Sequence, residues 1–138
     1  MQTFLPYRSF QHSAKCLDYR RLGKQRVEAR QILSTLQGEG KTGWRNHPAV
    51  LMWKGYEDAL AAYSNIMILE WIRRGYNNTM KLIANKTLYN TEMPPWLGKR
   101  RFHASHQSNL LRKDPAHYSQ FGWKVPDDLP YYWPSKEE

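Results

Sequence analysis

The chain has 138 residues, the size of one domain with one hydrophobic core. Its 21 Lys and Arg against 12 Asp and Glu give a formal charge of +9, and the 14% aromatic content excludes a disordered basic tail. A single cysteine, Cys16, excludes an intramolecular disulfide and any multi-cysteine zinc site, and no apolar run has membrane-spanning or secretory-signal length. A small, basic, intracellular domain is expected, with a polyanion as its natural partner and nucleic acid ahead of membrane.

Residues 1–8 read as an extended lead-in, with Pro6 arguing against helix. A helical pattern then runs from about Ser9 or Ser13 to about Gln37, with Ser13 as a candidate N-cap and Gly38, Glu39 and Gly40 as a stop. Leu22, Ala29, Ile32, Leu33 and Leu36 share one face of it. Gly23 costs roughly 1 kcal/mol inside a helix, which marks a close approach by another group. Residues 43–48 form a turn into a short helix that starts at Pro48. A second long helix spans 57–74, and its centre (Tyr63, Ile66, Met67, Ile68, Leu69, Trp71, Ile72) is apolar nearly all round, as a buried central element would be. Gly75 ends it after Arg73 and Arg74, cations suited to the negative end of the dipole. A weaker helix is expected over 79–86, a loop from Pro94 and Pro95, and a helix over 103–113 stopping near Asp114 and Pro115. The proline- and aromatic-rich tail over 121–133 should wrap the surface as extended chain. With no period-two alternation, the fold class is all-α: one compact domain of three main helices between an extended lead-in and that tail.

Four features could carry chemistry. Gln2 has a large side chain, so Met1 should be retained. An α-amino group with a pKa of about 7.7–8.0 is about 10% unprotonated at pH 7, a ready amine nucleophile. Equally, Met1 could simply pack down beside Phe4 and Leu5. On the first helix Asp18, Arg21, Gln25 and Glu28 are spaced 3, 4 and 3, with Arg20, Lys24, Arg26 and Arg30 around them. That ridge is either a solvated charged face or a DNA-facing one whose carboxylates move protons near a forming cation. His103 and His106, at i,i+3, could share a metal, but no further ligand lies nearby, so no metal and no organic cofactor is expected. With Ser105, Gln107, Ser108, Asn109, Arg112 and Lys113 they suit a surface contacting phosphate and sugar, or an ordinary polar helix covering the core through Leu110 and Leu111. The tail mixes His117, Tyr118, Phe121, Trp123, Lys124, Tyr131, Tyr132 and Trp133, which suits either stacking on bases or covering a small core.

GWRNHPAVLMW, followed by an apolar helix ending EWIRRGY, resembles the pyrimidine-dimer DNA glycosylase family, the phage endonuclease V type. The opening LDYRRLGKQRVEARQIL and the C-terminal helix with its trailing Tyr and Trp residues are similar as well. The resemblance implies an all-α domain that binds and kinks damaged duplex DNA. It also implies a glycosylase with abasic-site lyase activity, working through a Schiff base from the N-terminal amine. Met1 falls where the family has that amine, and Gln2 where it places an arginine near the active site. Arg20, Arg21, Lys24 and Arg26 would form the DNA-facing basic helix, and Arg45, His47, Asn109, Arg112, Lys113 and Tyr118 complete the expected DNA-binding set. In the register fixed by ARQIL the family's catalytic glutamate falls at Gln25, an amide that cannot ionise; matching DYRRL instead puts Arg21 there. Glu28 and Asp18, on the same ridge, could each take its place.

The expected function is therefore a DNA glycosylase, with or without lyase activity, that acts as a monomer on duplex DNA carrying a damaged or modified base. Met1, Glu28 or Asp18, Gln25, His103 and His106 are its candidate catalytic groups. Cytoplasmic, nucleoid-associated placement in a bacterial or virus-infected cell goes with it. A DNA-binding module that does not cleave, and histidine-dependent base chemistry, are the alternatives.

Overall fold

The computed structural model describes residues 1–39, 42–89 and 91–134, which form six α-helices and no strand. The expected first helix is two. α1 (Phe10–Cys16) is capped by Ser9, whose side chain accepts from the His12 N–H, and α2 (Tyr19–Leu36) is capped by Asp18, which accepts from the Arg21 N–H. Between them Leu17 is extended (φ −68°, ψ 139°). Ser13, expected as a cap, is instead buried within α1, where its hydroxyl donates to the Tyr7 carbonyl and accepts from the Tyr7 N–H. Gly38, at φ +81°, follows α2 as expected, and Gly40 lies outside the described residues.

His47 caps α3 (Pro48–Leu51), with Pro48 at its first position. α4 (Glu57–Arg73) packs chiefly against α2, and α1 lies against it as well. Leu22, Ala29, Ile32 and Leu33 of α2 meet Leu60, Tyr63 and Met67 of α4 in the core, with Leu36 packed at its edge. Leu69 and Ile72 are about half exposed, so α4 is central without being buried all round. At its end Gly75 adopts φ +88°, and Arg73 and Arg74 both pair with the buried Glu70. Arg74 also donates to the Ala14 and Lys15 carbonyls, closing the end of α1.

Gly23 sits where α2 crosses α4: a Cβ there would meet the Trp71 ring at 3.1 Å. No helix forms over 79–86. Asn65 on α4 accepts from the Ile83 N–H and donates to the Ile83 and Lys86 carbonyls, so these groups are spent outside any helical ladder. α5 (Arg100–Lys113) starts three residues before the expected 103, and α6 (Pro115–Tyr118) was not expected. A 3-10 turn over Ser119–Phe121 follows, so the tail runs over the surface without regular structure only from Gly122, with Trp123 stacked on buried Tyr118.

Candidate active site

An extended segment with no partner strand must find other partners for its backbone. Here side chains from α2, α4 and α5 supply them to residues 2–6. The Gln2 N–H donates to Glu28 Oε2 at 2.8 Å. Gln25 bridges the segment, its Nε2 donating to the Gln2 carbonyl at 3.0 Å and its Oε1 accepting from the Phe4 N–H at 2.9 Å. The Tyr63 hydroxyl lies 2.8 Å from the Phe4 carbonyl oxygen and 2.6 Å from Gln25 Oε1. Leu5 is held by two histidines: its N–H donates to His106 Nδ1 and its carbonyl accepts from His103 Nδ1, both at 2.8 Å. Gln107 Nε2 donates to the Pro6 carbonyl at 2.8 Å.

This clamp fixes both imidazoles as neutral tautomers. His106 Nδ1 accepts, so its proton is on Nε2, and complete burial, with a smaller push from His103, lowers its pKa to about 3. His103 Nε2 accepts from the Gly98 N–H, so Nδ1 carries its proton. Burial lowers its pKa; the Leu5 hydrogen bond opposes that and the charge of Arg8 adds to it.

Met1 and Gln2 are thereby set on the wall of a pocket of about 540 Å³. α2 contributes Arg20, Arg21, Lys24, Gln25 and Glu28, the end of α5 contributes Lys113, and the rings of Phe4 and Tyr131 supply apolar surface. Four cations thus surround one carboxylate. The Gln2–Glu28 hydrogen bond, with backbone dimensions, puts the Met1 nitrogen within about 6.5 Å of that carboxylate. Burial raises the Tyr131 phenol, the neighbouring Gln2 carboxamide and the charges of Arg112 and Arg21 offset part of the rise, and Glu28 adds to it. The hydroxyl stays protonated and can donate.

The expected site residues divide sharply. Met1, Gln2, Arg20, Arg21, Lys24, Glu28 and Lys113 come together at the pocket. Gln25 also reaches its wall, but it is buried and its amide is spent on the chain's own backbone rather than available to a sugar or phosphate. Asp18 is the α2 cap, bonded to Tyr118 and Arg21. Burial raises its pKa, but those hydrogen bonds and the Arg21 charge outweigh burial and lower it overall. His103 and His106 hold Leu5 and do not line this pocket. Tyr118, expected on DNA, is fully buried on Asp18.

Asn109 and Arg112 hold the tail, through the Leu129 and Asp127 carbonyls respectively. Arg26 donates to Asn78 and lies 4.2 Å over the Trp71 ring. His47 caps α3 and Arg45 is exposed on the turn before it, and neither lines the pocket. The pocket roles of Phe4 and Tyr131 were missed. Tyr131 stood in the sequence only as one of many tail aromatics, and nothing local tells it from Trp123, which packs inward.

Fold and site together define a helical domain with a cationic pocket built around its first residues, a shape suited to an anionic polymer. Residues 1–84 match the family model for pyrimidine dimer DNA glycosylase, and the chain belongs to that family. No curated protein and no solved structure matches it. DNA is thus the substrate and glycosylase the class of enzyme. The matched segment carries Met1, Gln25 and Glu28, while α5 and the tail, which complete the pocket with Lys113 and Tyr131, lie beyond it.

Proposed function

We propose that the protein removes a damaged pyrimidine from duplex DNA, as a monomer, through the α-amine of Met1. The unprotonated amine attacks C1′ of the sugar; the C1′–N bond forms as the glycosidic bond breaks, and the electron pair leaves with the base. Glu28 takes the proton released by the amine and passes it to the departing base. The nitrogen lone pair then opens the sugar ring, O4′ takes a proton from water, and a Schiff base to Met1 results. Loss of the C2′ proton to Glu28 would break the C3′–O bond and give strand cleavage. Arg20, Arg21, Lys24 and Lys113 hold phosphates around the pocket, and the base must leave the stack to reach it.

The observation that carries this reading is the Gln2–Glu28 hydrogen bond, which ties the one acidic side chain among the described pocket residues to the residue beside the amine. A module that only binds DNA drew its support from the missing carboxylate at position 25, and the hydrogen bonds of Gln25 give the amide a different reason to be there.

Borohydride trapping on a duplex with one abasic site, with the adduct located by mass spectrometry, tests the proposal. Capture at Met1 is expected, and a Gly-Ser extension ahead of Met1 should abolish it while DNA binding persists. Tight binding with no adduct, or an adduct only at a lysine, would overturn it.

A further inference from the structure

Gln2 is held by all but one of its polar groups. Its N–H is on Glu28, its carbonyl on Gln25 and its Oε1 on the Thr3 N–H at 2.8 Å. The last bond fixes which way the carboxamide points. What remains is Nε2, a donor of two hydrogens that is buried without a hydrogen-bond partner in a residue only 6% exposed. Gln2 lines the pocket, and Nε2 is buried just behind that surface, near the Tyr131 hydroxyl but without a well-formed bond to it. An unpaired buried donor is costly to keep, and in a residue that lines a pocket it points to a ligand as its missing partner.

We propose that Gln2 Nε2 donates to O2 of the departing pyrimidine and so makes the site selective for that base edge. The inference rests on the role given to Met1 above. The cations Arg20, Arg21, Lys24 and Lys113 match phosphate, whereas a neutral donor in a wall that also carries the Phe4 and Tyr131 rings matches a neutral carbonyl. O2 is on the carbon next to the ring nitrogen bonded to C1′, so an amine that reaches C1′ brings its neighbouring residue beside O2. As the glycosidic bond breaks, its electron pair spreads from that nitrogen onto O2. The hydrogen bond from Nε2 therefore strengthens in the transition state, where a fixed donor is worth about 10²–10³ in rate.

Gln2→Leu and Gln2→Glu test this, since both keep a large second residue and so retain Met1. Gln2→Glu also keeps an oxygen for the Thr3 N–H. Each variant is assayed on a duplex with one cyclobutane thymine dimer, for base release read as free thymine after photoreversal of the cyclobutane ring, and on a duplex with one abasic site, for borohydride trapping. Base release should fall about 100-fold in both variants, with trapping by Gln2→Leu within about threefold of the parent chain. Equal losses on the two substrates would overturn the inference, leaving Gln2 to act on sugar, phosphate or amine placement. Unchanged base release would overturn it as well, as would a parent chain that traps the abasic site but cleaves no glycosidic bond of the dimer. A parent chain that traps nothing at Met1 would overturn the parent reading and this one with it.

Discussion

Glu28 accepts its hydrogen bond from the backbone N–H of Gln2, one residue from the amine of Met1. A glutamine at 28 would present an oxygen to the same N–H, so Glu28→Gln should fold within about 1 kcal/mol of the parent. It cannot carry a proton. Trapping on an abasic-site duplex should fall about 10²–10⁴-fold while the thermal midpoint holds. Parent-like trapping kinetics in single-turnover assays would remove Glu28 from the proposed chemistry.

The same logic runs the other way for Gln25. If position 25 were a catalytic site that had lost its carboxylate, Gln25→Glu should raise activity. The structure leads to the opposite expectation. A glutamate there would aim an oxygen at the Gln2 carbonyl, where Nε2 now donates, and would bury a charge under Tyr63. Gln25→Glu should lose about 2–5 kcal/mol in urea unfolding and gain no trapping activity.

The helices were legible where a local signal and the burial pattern agreed. Pro48 opens α3, Gly75 closes α4, and the apolar face of α2 is the one that packs. The α1–α2 break was also written in the sequence, as Asp18 three residues before Arg21, but an uninterrupted run of polar spacing hid it. Long-range partners could not be seen. Asn65 undoes a helix over 79–86 from 18 residues away, and His103 and His106 serve a backbone about a hundred positions earlier. α5 looked like a polar surface because its polar side chains are buried against backbone: His103, His106 and Gln107 on the lead-in, Ser105, Ser108 and Asn109 on the tail. Composition does not distinguish a helix that faces water from one that wires two extended segments into the fold. The pocket was legible on its α2 side, where Arg21, Gln25 and Glu28 are neighbours in sequence, and illegible at Tyr131, which only the return of the tail brings there.

Gly23 offers a test of packing. In an open helix Gly→Ala gains about 1 kcal/mol. Here the new methyl would sit 3.1 Å from the Trp71 ring, and that ring is pinned by its Nε1 hydrogen bond to the Asn77 carbonyl, by Arg26 above it and by Tyr76 beside it. Gly23→Ala should therefore lose about 1 kcal/mol in urea unfolding instead of gaining it, and Gly23→Val should lose more. A stabilised Gly23→Ala would mean that Trp71 moves freely.

Acid should weaken the fold through His106 before it titrates the carboxylates. His106 takes up its proton at about 6.5 in the unfolded chain but only near 3 in the fold, so between those values the unfolded state binds more protons. Its contribution to stability is complete above about pH 6.5 and is lost as pH falls toward 3. His103, lowered by burial, acts in the same sense. Asp18 and Glu70 are also lowered, from 3.8 and 4.5, so their losses start only at more acid pH. The thermal midpoint should therefore drop already between pH 6.5 and 5. His106→Gln, less stable at pH 7.5, should close part of its gap to the parent over that interval because it has no imidazole to charge. A midpoint that stays flat down to pH 5 would show that Leu5 does not depend on a neutral His106.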